Sequence, residues 1–262
     1  MTIFHRIALA LVLMLAAGSF AAARAPTENA RIAAIVARGE LLYDYDQAAW
    51  HTTDVMVETV PRKRLAEIKG WLVEPDGGGL SVLYYGYDGE APYGVFRAGF
   101  RDGRVVEPVL IAADAPERTL TLVERRMADA RRIAAASNPP ACVQKPFNTI
   151  IVPPASETAP VEVYLLTPQV KAGAYPFGLH YLVTVGADGK VASTRPFMKS
   201  CMVQALPANA VAAMVSHMLD PMPTEIHVWL SRWIVKPVYV MISDPGQLWE
   251  VTGEGMRKVD RP

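Results

Sequence analysis

The sequence predicts an α+β fold: antiparallel, hairpin-rich sheets with an N-terminal helical segment and one central amphipathic helix. Three observations carry this expectation. Residues 28–59 keep a helical period near the amino end. Short apolar or alternating runs then come in pairs joined by Asp/Gly turns, the pattern of β-hairpins. One further helical stretch interrupts them, without the regular βαβ alternation of a parallel sheet.

In the first segment Leu41, Tyr45, Ala48, Thr52 and Val55 recur at spacings of three and four, giving one buried stripe. Gly39 is a candidate break in it, and Pro61 its end. Strands over 71–73 and 80–85 flank Asp76-Gly77-Gly78-Gly79, and strands over 93–100 and 104–111 flank Asp102-Gly103. Pro116 precedes a helix with Leu120, Val123, Met127, Ala130 and Ala134 on one face. Asn138-Pro139-Pro140 stops it and is the best candidate for a subdomain boundary. The division is then 26–137, helix plus hairpins, and 138–262, mainly antiparallel strands, with one continuous domain as the alternative. Beyond the boundary, 148–152 and 161–166 read as strands, and 179–185 with 190–195 as a hairpin. The stretch 211–219 fits either helix or strand, with helix preferred, and 224–230, 238–242 and 248–251 read as strands.

The first 25 residues read as a secretory leader. Arg6 is followed by an apolar run over 7–18, then by the small-x-small sites Ala21-Ala22-Ala23 and Ala23-Arg24-Ala25. The run falls short of the roughly 20 apolar residues that cross a bilayer, so no stable membrane insertion is expected once it is removed. Its removal takes Arg6 and Arg24 and no acid, leaving 24 basic against 26 acidic residues. A nearly neutral chain has no electrostatic footprint for nucleic acid. With 51% hydrophobic and 20% charged residues, most of the chain is expected to fold around a core.

The two cysteines are Cys142 and Cys201. In an oxidising compartment an even count favours a disulfide, the alternative being a reactive thiol at Cys201.

The most suggestive polar stretch runs from His217 to Trp229. On a strand over 224–230, Glu225, His227 and Trp229 would share one face. Glu225 would then orient His227, and His217 and His180 would join them as zinc ligands around a bound water. The ordinary reading, a cross-strand polar pair on an exposed face, is preferred. Asp44, Asp46, His51 and Asp54 are read as a solvated helix face rather than a metal site, and Arg125, Arg126, Arg131 and Arg132 as another rather than an anion or membrane-surface patch. The hairpin aromatics Tyr84, Tyr85, Tyr87, Tyr93, Phe96 and Phe100 suit strand packing, with stacking on glycan as their functional alternative. There is no Gly-x-Ser-x-Gly elbow and no phosphate-cradling glycine loop.

The stretches Tyr45-Asp46-Gln47-Ala48-Ala49-Trp50, Gly178-Leu179-His180-Tyr181 and Pro223-Thr224-Glu225-Ile226-His227-Val228 resemble a group of uncharacterised secreted proteins of Gram-negative bacteria. The resemblance implies an envelope location and brings no activity or catalytic residues. The expected function is therefore a soluble periplasmic or secreted binding or accessory protein, its partner an envelope component or small ligand, without a cofactor. A zinc hydrolase built on His180, His217, Glu225 and His227 is the rival, and glycan binding a third reading.

Overall fold

The computed structural model describes residues 26–243 and 246–260; the predicted leader falls outside the described residues. The chain opens with α1 (Glu28–Thr59), 32 residues capped by Thr27, whose hydroxyl accepts the Ala30 N–H. At 1.5 Å per residue this helix is about 48 Å long. Pro61 ends it, and the single turn α2 (Arg62–Leu65) follows.

A four-stranded antiparallel meander comes next, made of β1 (Gly70–Asp76), β2 (Gly79–Asp88), β3 (Ala91–Arg101) and β4 (Arg104–Leu110). Its turns at Gly77-Gly78 and Asp102-Gly103 have positive φ at both central residues, the backbone that matches a tight hairpin to strand twist. The amphipathic helix α3 (Leu122–Ala136) is capped reciprocally: Thr121 accepts the Glu124 N–H, and Glu124 accepts the Thr121 N–H at 2.7 Å.

The second sheet has the order β5 (Asn148–Val152), β6 (Val161–Leu166), β8 (Tyr181–Val185), β9 (Val191–Pro196), all antiparallel. The short β7 (Ala174–Pro176) instead pairs with β10 (Val203–Ala205). The third sheet is β11 (Ala213–His217), β12 (Val238–Ile242), β13 (Leu248–Val251) and β14 (Met256–Val259), with α4 (Glu225–Ile234) crossing between its first two strands. The β11–β12 pair is parallel, as a strand–helix–strand crossover requires.

Two cores hold these layers together. Val73, Val82, Tyr84 and Phe96 of the first sheet join Ile150, Tyr164 and Leu166 of the second beneath α1, α4 and the third sheet. Their sequence neighbours Leu72, Leu83, Tyr85, Ile151, Val163 and Leu165 point the other way, onto α3. Both meanders are thus covered on both faces, which is why runs such as Val82-Leu83-Tyr84-Tyr85 are apolar without alternation. Each core draws residues from both sides of position 138. Cys142 and Cys201 form the expected disulfide, with Cα atoms 5.0 Å apart, and tie the loop after α3 to the loop before β10.

Three local expectations are corrected. Gly39 does not break α1: a Cβ there would lie 2.5 Å from Val228 Cβ and 2.8 Å from the Glu225 carbonyl, so its bare backbone lets α4 cross closely. Residues 213–217 are strand, not helix; Ala213, Val215 and His217 face inward and Met214 and Ser216 outward. Residues 225–234 are helix, not strand. The two patterns coincide over 224–230, but Ile226, Trp229, Leu230, Trp233 and Ile234 hold the helical period beyond it.

Candidate ligand cleft

The helical α4 disperses the constellation expected from a strand. Glu225 and His227 are two residues apart on a helix, about 200° around its axis. Glu225 reaches toward the second sheet, where it accepts the Tyr164 hydroxyl at 3.1 Å and pairs with Arg195 at 3.6 Å. His227 turns inward and closes the helix start, accepting the Thr224 N–H on Nδ1 at 3.0 Å, the role a Glu or Gln plays in a capping box. Its ring lies edge-on to His217, with centroids 5.0 Å apart. His217 bonds Asp220 through Nε2 at 2.9 Å, and its buried Nδ1 has no hydrogen-bond partner. Burial works against the Asp220 carboxylate, but hydrogen bonds from His217 and Arg195 outweigh it and hold Asp220 below its usual range.

His180 is separate. Its Nδ1 accepts the Thr167 N–H at 3.1 Å, so Nε2 carries the proton and donates to the Pro176 carbonyl at 3.1 Å. Both ring nitrogens are occupied by backbone. Burial draws the pKa of His180 down to about 4 and that of His227 to about 3, so both rings are neutral at pH 7. Among the described residues no three His, Cys, Asp or Glu side chains converge as a metal-binding group.

The other candidates also part company. Asp44 and Asp54 are exposed on α1, and His51 stacks between Trp50 and Phe100 at centroid distances of 4.8 and 5.6 Å. Arg126 donates to the carbonyls of Glu157 and Ala159, Arg131 to Thr149 and the Lys69 carbonyl, and Arg132 to Asp129. Arg126 and Arg131 thus tie α3 to neighbouring segments, while Arg132 pairs within the helix. Tyr84, Tyr85 and Phe96 are buried and Tyr87, Tyr93 and Phe100 half-buried, so the hairpin aromatics as a set are not an exposed stacking platform. The Tyr84 hydroxyl donates instead to the Ala49 carbonyl at 2.9 Å and lies 2.8 Å from both Thr52 and Thr53 Oγ1, pinning the first sheet to the middle of α1.

That anchor adjoins a cleft of about 510 Å³ where α1, α4 and the facing edges of the two meanders meet. Helix α1 presents Asp46, Ala49, Trp50 and Thr53, a stripe at i, i+3, i+4 and i+7, with Gln47 beside it. Trp229 and Trp233, one turn apart on α4, form the opposite wall with ring centroids 5.0 Å apart. Trp71 of β1, Asn148 of β5, and Thr167 and Gln169 after β6 complete it. Four of the chain's five tryptophans line this one depression.

The walls are braced from behind. The His180 ring packs edge-on to Trp229 at 5.6 Å, and Tyr175 edge-on to Trp233 at 5.2 Å. Asp46 is the one charged residue of the lining. Burial raises its pKa to about 6, and the neighbouring Trp229 offsets this only in part. Sequence reasoning placed Asp46 on a solvated face and Trp229 beside Glu225 and His227 on a strand, and did not single out Trp71 or Trp233. The available signal was the i, i+4 spacing of Asp46 with Trp50 and of Trp229 with Trp233. No family model matches this chain, and neither a curated protein nor a solved structure does so.

Proposed function

We propose that the mature chain is a periplasmic or secreted binding protein that takes a small polar ligand in the tryptophan-lined cleft. One observation carries this reading: four indoles and one carboxyl, drawn from well-separated stretches of chain, converge on a cleft of about 510 Å³. Cavities of roughly 300–1,000 Å³ with apolar walls and a few polar groups are the usual form of small-molecule sites. The side-chain amides of Gln47 and Asn148 make no hydrogen bond among the described residues, so both are free to meet a ligand. The envelope location rests on the leader-like first 25 residues and agrees with the disulfide. Among the described residues no helix is long and apolar enough to cross a membrane.

Sugar binding is favoured over carboxylate-pair glycoside hydrolysis in this cleft, because that reaction needs two carboxyl groups across the scissile bond and the lining supplies one. The zinc-hydrolase reading has in its favour the buried, unpartnered Nδ1 of His217 beside His227. It is weakened by His180 and His227, which both use Nδ1 to accept a backbone N–H.

The test is a tryptophan-fluorescence and thermal-shift screen of the mature protein against sugars, amino acids, amines and nucleosides. At least one class is expected to change the emission and raise Tm, and Trp233→Ala is expected to abolish both effects. A well-folded protein that answers to no class would overturn the cleft reading. Zinc near one per chain in metal-free preparations would restore the hydrolase.

A further inference from the structure

This inference rests on the cleft reading and names the ligand's chemistry. A carboxylate withdrawn from water is costly unless a cation or several donors face it. Elsewhere this chain supplies such partners. Glu124 meets Arg97 at 2.6 Å, Glu250 meets Arg257 at 2.6 Å, Asp220 meets Arg195 at 2.8 Å, and Glu225 meets Arg195 at 3.6 Å. Asp46 makes no ion pair among the described residues, and no Lys, Arg or His lines its cleft. What surrounds it instead is indole. Tryptophan rings attract cations through their electron-rich faces, and more strongly when water is excluded. A carboxylate among indoles with no cation of its own is half of a recognition site for one.

We propose that the cleft binds an organic cation, a quaternary or protonated amine, with Asp46 as counter-ion and the indoles of Trp50, Trp229 and Trp233 around it. Gln47 and Asn148 are then placed to hydrogen-bond the polar remainder of the molecule. A neutral sugar is the competing occupant. It would stack on the same rings, but it leaves the carboxylate without a counter-charge.

The experiment is calorimetric titration of the full mature chain at pH 8 with two matched pairs: choline against its uncharged carbon analogue 3,3-dimethylbutan-1-ol, and methylamine against methanol. Choline is expected to bind at least about 30-fold more tightly than its analogue, the discrimination expected of a desolvated charge on aromatic rings. Asp46→Asn is expected to shrink the difference by about tenfold, leaving what the indoles supply, and Asp46→Glu to restore part of it, with thermal melts showing that both variants fold. Equal or tighter binding of the neutral member overturns the cation assignment, as does a site that answers only to the sugars of the wider screen. In both cases the cleft stands as a binding site. Silence toward every compound in both experiments overturns the assignment and the cleft reading together.

Discussion

Asp46 shows how one residue carries a cost in the empty protein. Its carboxyl has a pKa near 6 when folded against an ordinary 3.8, so the folded state holds the extra proton between those values. Stability therefore falls as pH rises from about 4 to about 6, and the ionised group remains unfavourable above that. Asp46→Asn removes the charge at nearly constant volume. We expect it to stabilise the empty protein at pH 8 by on the order of 1–3 kcal/mol, part of the full linkage value because the group is partly open to solvent. At pH 4 the gain should nearly vanish. Melts of both proteins at the two pH values check this; a gain of equal size at both would show that charge is not its cause. His180 carries no such tension, since both ring nitrogens have backbone partners and its ring braces Trp229. The rival zinc reading enlists it because sequence shows a histidine's presence but not its partners.

Among elements, α1 and α4 decide the site, because the cleft lies where they pass each other. Gly39 sets that crossing: any side chain there meets Val228 and the Glu225 carbonyl. On propensity alone Gly39→Ala would stabilise a helix interior by about 1 kcal/mol. We expect the opposite, a net loss of about 1–2 kcal/mol in urea unfolding, because overpacking a tight contact costs more than propensity returns. A more stable Ala variant would mean that the crossing is looser than described. The long helix and the hairpins were legible because their patterns are local: a 3.6-residue period, and Asp/Gly turns whose positive φ few other residues adopt. The exchange of helix and strand at 211–230 has an equally local cause. Over seven residues the alternating and helical patterns of Thr224 to Leu230 coincide, and a five-residue strand such as β11 is too short to declare its period.

Across the whole molecule, the disulfide joins two loops 59 residues apart in sequence. In the loop-entropy account this constrains the unfolded chain by about 4 kcal/mol. Reduction, or Cys142→Ser with Cys201→Ser, should lower Tm by about 8–15 °C. A calorimetric scan with and without reductant measures it, and an unchanged Tm would mean that the bridge stabilises nothing beyond what packing secures. The sequence by itself determined the α+β class, the hairpins and their turns, the long first helix and the cysteine pairing, because each is written in residues close together or in a count of two. Only the tertiary structure decided where the chemistry sits. Asp46, Trp50, Trp71, Asn148, Trp229 and Trp233 come from four elements, and beyond the i, i+4 pairs Asp46–Trp50 and Trp229–Trp233 no spacing in the linear sequence joins them. Packing of α1 across α4 and against the edges of two sheets brings them together, and the same packing buried Tyr84, Tyr85 and Phe96 and turned Glu225 away from His227. The cleft arises from long-range contacts between surfaces, whereas the elements arise from local backbone preference and periodicity.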